Sequence, residues 1–242
     1  MITETGARAR TPDLVGRVRT GDGLTLPWEI HGDGPTTIVF LPPNPISHSR
    51  LWKGQVHYLA RRHRVVVYDG RGNGDADLPD PSGVWEGSWR ADDCVAVLDA
   101  TGTDRAVLVG ICGDGVRPSL QIAAAHPERV LGLVAIGTGV GQLAPTPVHR
   151  QRAIETFNDV FDDPQGWEKY NERYIRANYR GFLEFFFGEM FPEPHSEKQV
   201  EDAVAYGLDG PVEVLLMDET AADTKEETLE LIRRVRCPVL VV

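Results

Sequence analysis

Of the residues able to form and break covalent bonds, Cys112 has the most informative surroundings. The apolar run Val107-Leu108-Val109 leads directly into Gly110-Ile111-Cys112-Gly113-Asp114-Gly115, and a helical stretch follows as far as His126-Pro127. A buried strand entering a helix through a glycine-bracketed bend throws its apex side chain away from the sheet, and only small neighbours permit so tight a turn. The first N–H groups of the helix and the positive end of its dipole then point at the apex. A thiol held there is expected to ionise more readily than usual. The Asp114 carboxylate opposes that effect and also suits the first turn of the helix. The chemistry indicated is nucleophilic attack on an acyl carbon, which needs a base for the thiol's proton and a carboxylate to orient that base.

Such a bend works only if a sheet holds it. Short apolar runs predict strands over Gly16–Thr20, Leu24–Ile30, Thr37–Leu41, Arg64–Tyr68, Ala106–Val109 and Leu131–Ile136. From the third onward the runs are almost continuously apolar, as in strands covered on both faces. Helical segments near Ser49–Arg62, Ser88–Ala100 and Gly115–His126 alternate with them, which predicts a doubly wound α/β sheet. The opening pair, separated by Gly21-Asp22-Gly23, reads as an antiparallel hairpin. After about Gly141 the texture becomes helical, aromatic and proline-punctuated, and a strand pattern returns only at Cys237-Pro238-Val239-Leu240-Val241-Val242.

Three features, in order, resemble the α/β-hydrolase superfamily in its branch with a helical cap. Gly110-Ile111-Cys112-Gly113-Asp114 is similar to the G-x-S-x-G elbow, with Cys112 at the serine position and Asp114 at the second glycine, a residue that normally lets the turn pack closely. Asp69-Gly70-Arg71-Gly72-Asn73-Gly74 resembles the D-x-R-G-x-G turn after the fourth strand. Arg236-Cys237-Pro238-Val239-Leu240-Val241-Val242 resembles the start of the strand that leads to the catalytic acid. The resemblance implies a mostly parallel sheet with helices on both faces, an inserted helical cap, and the final strand and helix missing from this chain. It implies a core over 1–141, a cap over 142–234 and the start of the seventh core strand over 235–242. Cys112 would be the nucleophile, as in dienelactone hydrolases. The backbone N–H groups of Asn44, just after Pro42-Pro43, and of Gly113 would form the oxyanion hole. Asp69 and Arg71 are expected to hold a structural turn.

In that family the acid follows the seventh strand and the histidine the eighth, so both are expected to lie beyond Val242 and the chain to be a shortened version of a longer hydrolase. Of the histidines present, His31 is expected to be exposed at a strand end. His57 and His63 belong to the first helix, His126 to a structural turn, and His149 and His195 to the cap. His48 borders the expected mouth and, with Asp114, is a candidate rim residue. Pro118 is expected to remove one backbone bond from the elbow helix unless it lies in the first turn.

Composition limits the partners. Twenty-five basic against 36 acidic residues give a net charge of −11, which argues against nucleic acid or an anionic membrane. No apolar run approaches the roughly 18–20 residues that span a bilayer, and the start MITETGARAR lacks a signal-peptide core. Cys94, Cys112 and Cys237 form neither a disulfide framework nor a metal pair, so no metal or other cofactor is expected and a cytoplasmic setting fits. An apolar final strand at a sheet edge could pair with a second copy. Phe182, Leu183, Phe185, Phe186, Phe187, Met190 and Phe191 are spaced to bury one helix face as cap core. Such a cap predicts a small apolar or aromatic substrate. The acidic stretch from Asp218 to Glu230 reads as a solvated helix face. The leading expectation is hydrolysis of an ester or thioester. The alternatives are an inactive hydrolase-like ligand binder, and a cofactor-free oxygenase or lyase on the same fold.

Overall fold

The computed structural model describes residues 10–80, 88–138, 143, 146–216 and 224–242. Its strands are β1 (Leu14–Arg19), β2 (Thr25–His31), β3 (Thr37–Phe40), β4 (Arg64–Tyr68), β5 (Ala106–Ile111), β6 (Val130–Ile136) and β7 (Val239–Val241). They form one sheet in the order β1-β2-β4-β3-β5-β6-β7. β1 pairs antiparallel with β2, β2 antiparallel with β4, and every other neighbour is parallel. The expected hairpin is present, with Gly23 at φ 95° in its turn.

The continuous apolar runs have a direct packing cause. Ile38, Phe40, Val65, Val67 and Val109 face Trp52, Val56 and Ala60 on one side of the sheet. Their sequence neighbours Val39, Leu41, Val66, Tyr68 and Leu108 face Cys94, Leu98, Val116 and Leu120 on the other. Side chains alternate along a strand, so burying both faces requires apolar residues at every position. The first side is covered by a 3₁₀ turn (Ser49–Trp52) and α1 (Lys53–Leu59), and the second by α2 (Trp89–Ala100) and α3 (Cys112–Ala125).

Between β6 and β7 the described elements are all helical: α4 (Val148–Glu155), a 3₁₀ turn (Gly166–Lys169), α5 (Glu172–Ala177), α6 (Tyr179–Met190), α7 (Glu197–Asp209), α8 (Val212–Leu216) and α9 (Lys225–Arg234). Phe182, Leu183 and Phe187 of α6 join Ile175, Ala203, Val204 and the core residue Ile46 in a separate apolar cluster. α9 does not belong to that group. Its Leu231, with Val235 just beyond, packs on the sheet-side core, and Arg234 Nη2 donates to the Ala124 carbonyl at 3.4 Å. The expected cap limit at 234 thus takes in a helix that lies against α3. The other limit, at 141/142, and the start of the acidic stretch at Asp218 fall outside the described residues. Glu226, Glu227 and Glu230 of α9 are exposed, and Glu227 completes a capping box with Thr224.

One expectation is overturned. His31 is buried, with Nε2 3.1 Å from Glu29 Oε2. β2 lies inside the sheet, and its end at Gly32 is closed by the Ala60 and His63 carbonyls, so the strand end is covered. Val239, Leu240 and Val241 of β7 are exposed. Among the described residues no helix is long and apolar enough to cross a membrane.

Candidate active site

β5 runs extended to Ile111 (φ −122°, ψ 146°), and Cys112 then turns to φ 56° as α3 begins. A left-handed φ is costly for a residue with a Cβ and persists only where its surroundings enforce it. Here the enforcement comes from backbone contact. A Cβ on Gly110 would collide with the backbone of Gly115 and Val116, and one on Gly115 would lie 3.1 Å from Gly110 Cα. The close approach expected of the residue at 114 is therefore made by Gly115, which leaves 114 free to carry a carboxylate. α3 continues through Pro118, which lacks the N–H that would reach back to the Asp114 carbonyl. Ser119 Oγ donates to the neighbouring Gly115 carbonyl at 2.7 Å.

The bend opens into a cavity of about 690 Å³. Its floor is built from the carboxyl ends of the parallel strands: the loop after β3, the turn after β4, the elbow after β5, and Ile136 and Gly137 after β6. Open α/β sheets place ligands at this rim. The roof comes from the helices after β6, through Arg150, Trp167, Tyr170, Phe182, Phe186 and Phe187. Cys112, Gly113, Asp114 and Asn44 all line the cavity. Gly113 is the second residue of α3, so its N–H has no acceptor within the helix. Asn44 Oδ1 accepts from Ile46 N–H at 3.0 Å, which fixes the proline-flanked loop.

His48 is absent from the described lining. Its Nδ1 accepts from Arg50 N–H at 3.3 Å, its Nε2 faces Asp209 Oδ2 at 3.4 Å, and its ring lies 4.5 Å from that of Tyr206. The imidazole is thus turned into the seam between α7 and the core, away from the rim expected for it. Burial there lowers its pKa, although Asp69 and Asp209 favour the charged form. The Lys53–Asp202 ion pair and Tyr206 Oη, which donates to the Arg50 carbonyl at 3.4 Å, fasten the same seam.

The electrostatics of Cys112 reverse the expectation of easy ionisation. Its sulfur is reached from the cavity, yet the enclosing walls raise the thiol pKa. Asp114 raises it further, and only the Arg150 charge lowers it. Desolvation and a close carboxylate both disfavour the thiolate. Burial pushes the Cys94 thiol up to about 12 and also raises that of Cys237, and neither of these residues lines the cavity.

The cavity wall also holds a network that motif reading does not supply. Arg71 forms a two-bond pair with buried Asp93 (Nε–Oδ2 2.7 Å, Nη2–Oδ1 2.6 Å) and two further contacts to Asp22 (2.6 and 3.3 Å). Burial disfavours the guanidinium charge, but these partners hold its pKa above the ordinary value. The Trp89 ring meets the guanidinium groups of both Arg71 (4.9 Å) and Arg90 (4.2 Å). Asp69 accepts from Ser49 N–H at 2.9 Å, tying the turn after β4 to the loop after β3. Arg71 stood in a recognisable turn motif. Asp93, Trp89 and Arg150 carried no signal, because their roles depend on where separate helices land. Among the described residues no group of three or more His, Cys, Asp or Glu is placed to hold a metal ion.

Comparison with known proteins agrees with this architecture. The sequence profile of the alpha/beta hydrolase fold matches residues 36–199. RutD of Caulobacter vibrioides (strain NA1000 / CB15N), provisionally named a carbamate hydrolase, is 30% identical over 204 residues, covering 82% of this chain and 69% of that protein. The 2-hydroxymuconate semialdehyde hydrolase of Pseudomonas sp. (strain CF600) is 29% identical over 188 residues, covering 72% of this chain and 61% of its own length. RutD of Caulobacter sp. (strain K31) is matched over 52% of its length, so the chain spans between about half and about two-thirds of these relatives. Among solved structures, the esterase RhEst1 from Rhodococcus sp. ECU1013 superposes with a TM-score of 0.71 at 25% identity, over 94% of this chain and 79% of that one. The esterase EaEST from Exiguobacterium antarcticum, at 17% identity and a TM-score of 0.74 over 93% of this chain and 79% of its own, shares the fold. On the strength of the sheet order, the strand-to-helix bend at its carboxyl rim and these matches, the chain belongs to the alpha/beta hydrolase fold family.

Proposed function

We propose that Cys112 is the nucleophile of an acyl hydrolase that cleaves an ester, thioester or carbamate bond in a small apolar or aromatic substrate. The observation that carries this reading is the left-handed Cys112 at the start of α3, open to a cavity also lined by Gly113 and Asn44. Sγ, once its proton has passed to water, would attack the carbonyl carbon, and the backbone N–H groups of Gly113 and Asn44 would receive the developing oxyanion. Collapse would expel the alcohol, thiol or amine, which takes up a proton, and leave the acyl group on Cys112 as a thioester (from a carbamate, a thiocarbamate or thiocarbonate); water then hydrolyses it and the thiol is regenerated. The relatives named as carbamate and semialdehyde hydrolases, and the esterase neighbours, support bond hydrolysis as the class of reaction.

A second reading has its own support. The Cys112 thiol is held above its ordinary pKa by burial and by Asp114, and no histidine is among the described lining residues. Both favour a protein that binds a ligand without turning it over. Incubation with p-nitrophenyl butyrate across a pH series, followed by peptide mass mapping, separates the two. The hydrolase reading expects an acyl adduct on Cys112 and none on Cys94, formed faster as pH rises toward the thiol's raised pKa. Replacing Asp114 by Asn removes one raising influence and should speed adduct formation near neutral pH. Turnover that survives Cys112→Ala, or an adduct only at another residue, rejects the nucleophile assignment.

A further inference from the structure

We infer that the cavity selects substrates bearing a carboxylate, or a similar anion, with Arg150 on α4 as the residue that reads it. This rests on the reading of the cavity as a substrate site, and adds the chemical class of what fills it.

Arg150 lines the same cavity as Cys112, on the roof side. Its guanidinium lies over the Trp167 ring, 5.4 Å from the centroid. A cation–π contact of that kind uses none of the guanidinium N–H donors as hydrogen bonds, so they can serve a planar anion. Arg150 is solvent-exposed, and among the described residues it forms no ion pair with a carboxylate. The floor guanidinium of Arg71 differs, being already held by Asp93 and Asp22. Among the described residues Arg150 is thus a cation in the cavity wall with no carboxylate partner, in a chain whose net charge is −11.

Trp167, Tyr170, Phe182, Phe186 and Phe187 supply apolar lining to the same roof. Asp114 stands two residues from the nucleophile and repels an anion from the elbow end. A substrate with an apolar or aromatic body and an anionic group that meets Arg150 suits this lining.

Binding tests this without requiring chemistry. Calorimetric titration of the full chain compares 4-phenylbutyrate with its neutral partner 4-phenylbutyramide, and is repeated with Cys112→Ala, Arg150→Gln and Arg150→Lys. The acid should bind at least about tenfold more tightly than the amide, the usual effect of one charge-assisted pair. Arg150→Gln should bring the acid down to the amide's affinity and leave the amide unchanged, with Arg150→Lys intermediate. Equal affinities in the unaltered chain, no binding of either compound, or equal losses of both in Arg150→Gln would each overturn the inference. Cys112→Ala should keep the acid preference. A chain that forms no acyl adduct yet prefers the acid fails as a hydrolase and upholds the anion site, whereas one that cleaves neutral esters with no acid preference does the reverse.

Discussion

Replacing Arg71 by Met probes the charged network in the cavity wall. Two of its ion-pair contacts are to Asp93, at 2.7 and 2.6 Å, with both side chains only 4% exposed. Those to Asp22 have a partner that is 48% exposed and add at most about 1 kcal/mol. Met fills much of the Arg volume but leaves the Asp93 carboxylate buried with no cation. Breaking one side of such a pair costs about 3–5 kcal/mol, most of it the desolvation of the orphaned charge. With an unfolding entropy of about 2.1 cal/mol/K per residue over 242 residues, the melting point should fall by roughly 6–10 °C. Burial already raises the Asp93 pKa. Without Arg71 it rises further, so the deficit measured by urea unfolding should shrink between about pH 7 and about pH 5 as the carboxyl takes up a proton. Adding Asp93→Asn should restore most of the lost stability near neutral pH. A loss below about 1 kcal/mol, or a double variant no more stable than Arg71→Met, refutes the reasoning.

Two further outcomes test the elbow and the seam. Gly110→Ala drives a methyl into the Gly115 and Val116 backbone and should cost about 1–3 kcal/mol or more, whereas Gly54→Ala on α1 meets nothing within 4 Å and should gain about 0.5–1 kcal/mol. Equal urea midpoints for the two variants would show that the bend is not held by that contact. His48 has its pKa lowered by burial, so it contributes stability above its unfolded value of about 6.5 and loses it as pH falls through the lower folded value. The unfolding free energy from urea titrations should drop below about pH 6.5 by up to about 1.4 kcal/mol per pH unit, and His48→Asn should flatten that slope. A slope unchanged by the substitution assigns the acid sensitivity to other groups.

Local rules read much of this molecule. Apolar runs at every position require a strand covered on both faces, so the parallel core from Ile38 to Ile136 was legible, as was the hairpin with glycines at its turn. The bend at Cys112 was legible too, because a strand run, small residues and a helix pattern meet within a few positions. What the sequence could not convey is the environment each element finds. His31 looks like an exposed strand end until β4 and the turn at Ala60–His63 close over it. His48 looks like a rim residue until Tyr206 and Asp209 of α7 draw it into the seam. The Cys112 thiol looks activated by its helix end, yet the cavity walls desolvate it. Sequence thus determined which segments form strands, helices and the bend, since those depend on residues a few positions apart. Burial, charge pairing and the identity of the cavity's cations were decided by elements far apart in the chain, because desolvation and Coulomb energies depend on distances in space that no local pattern records.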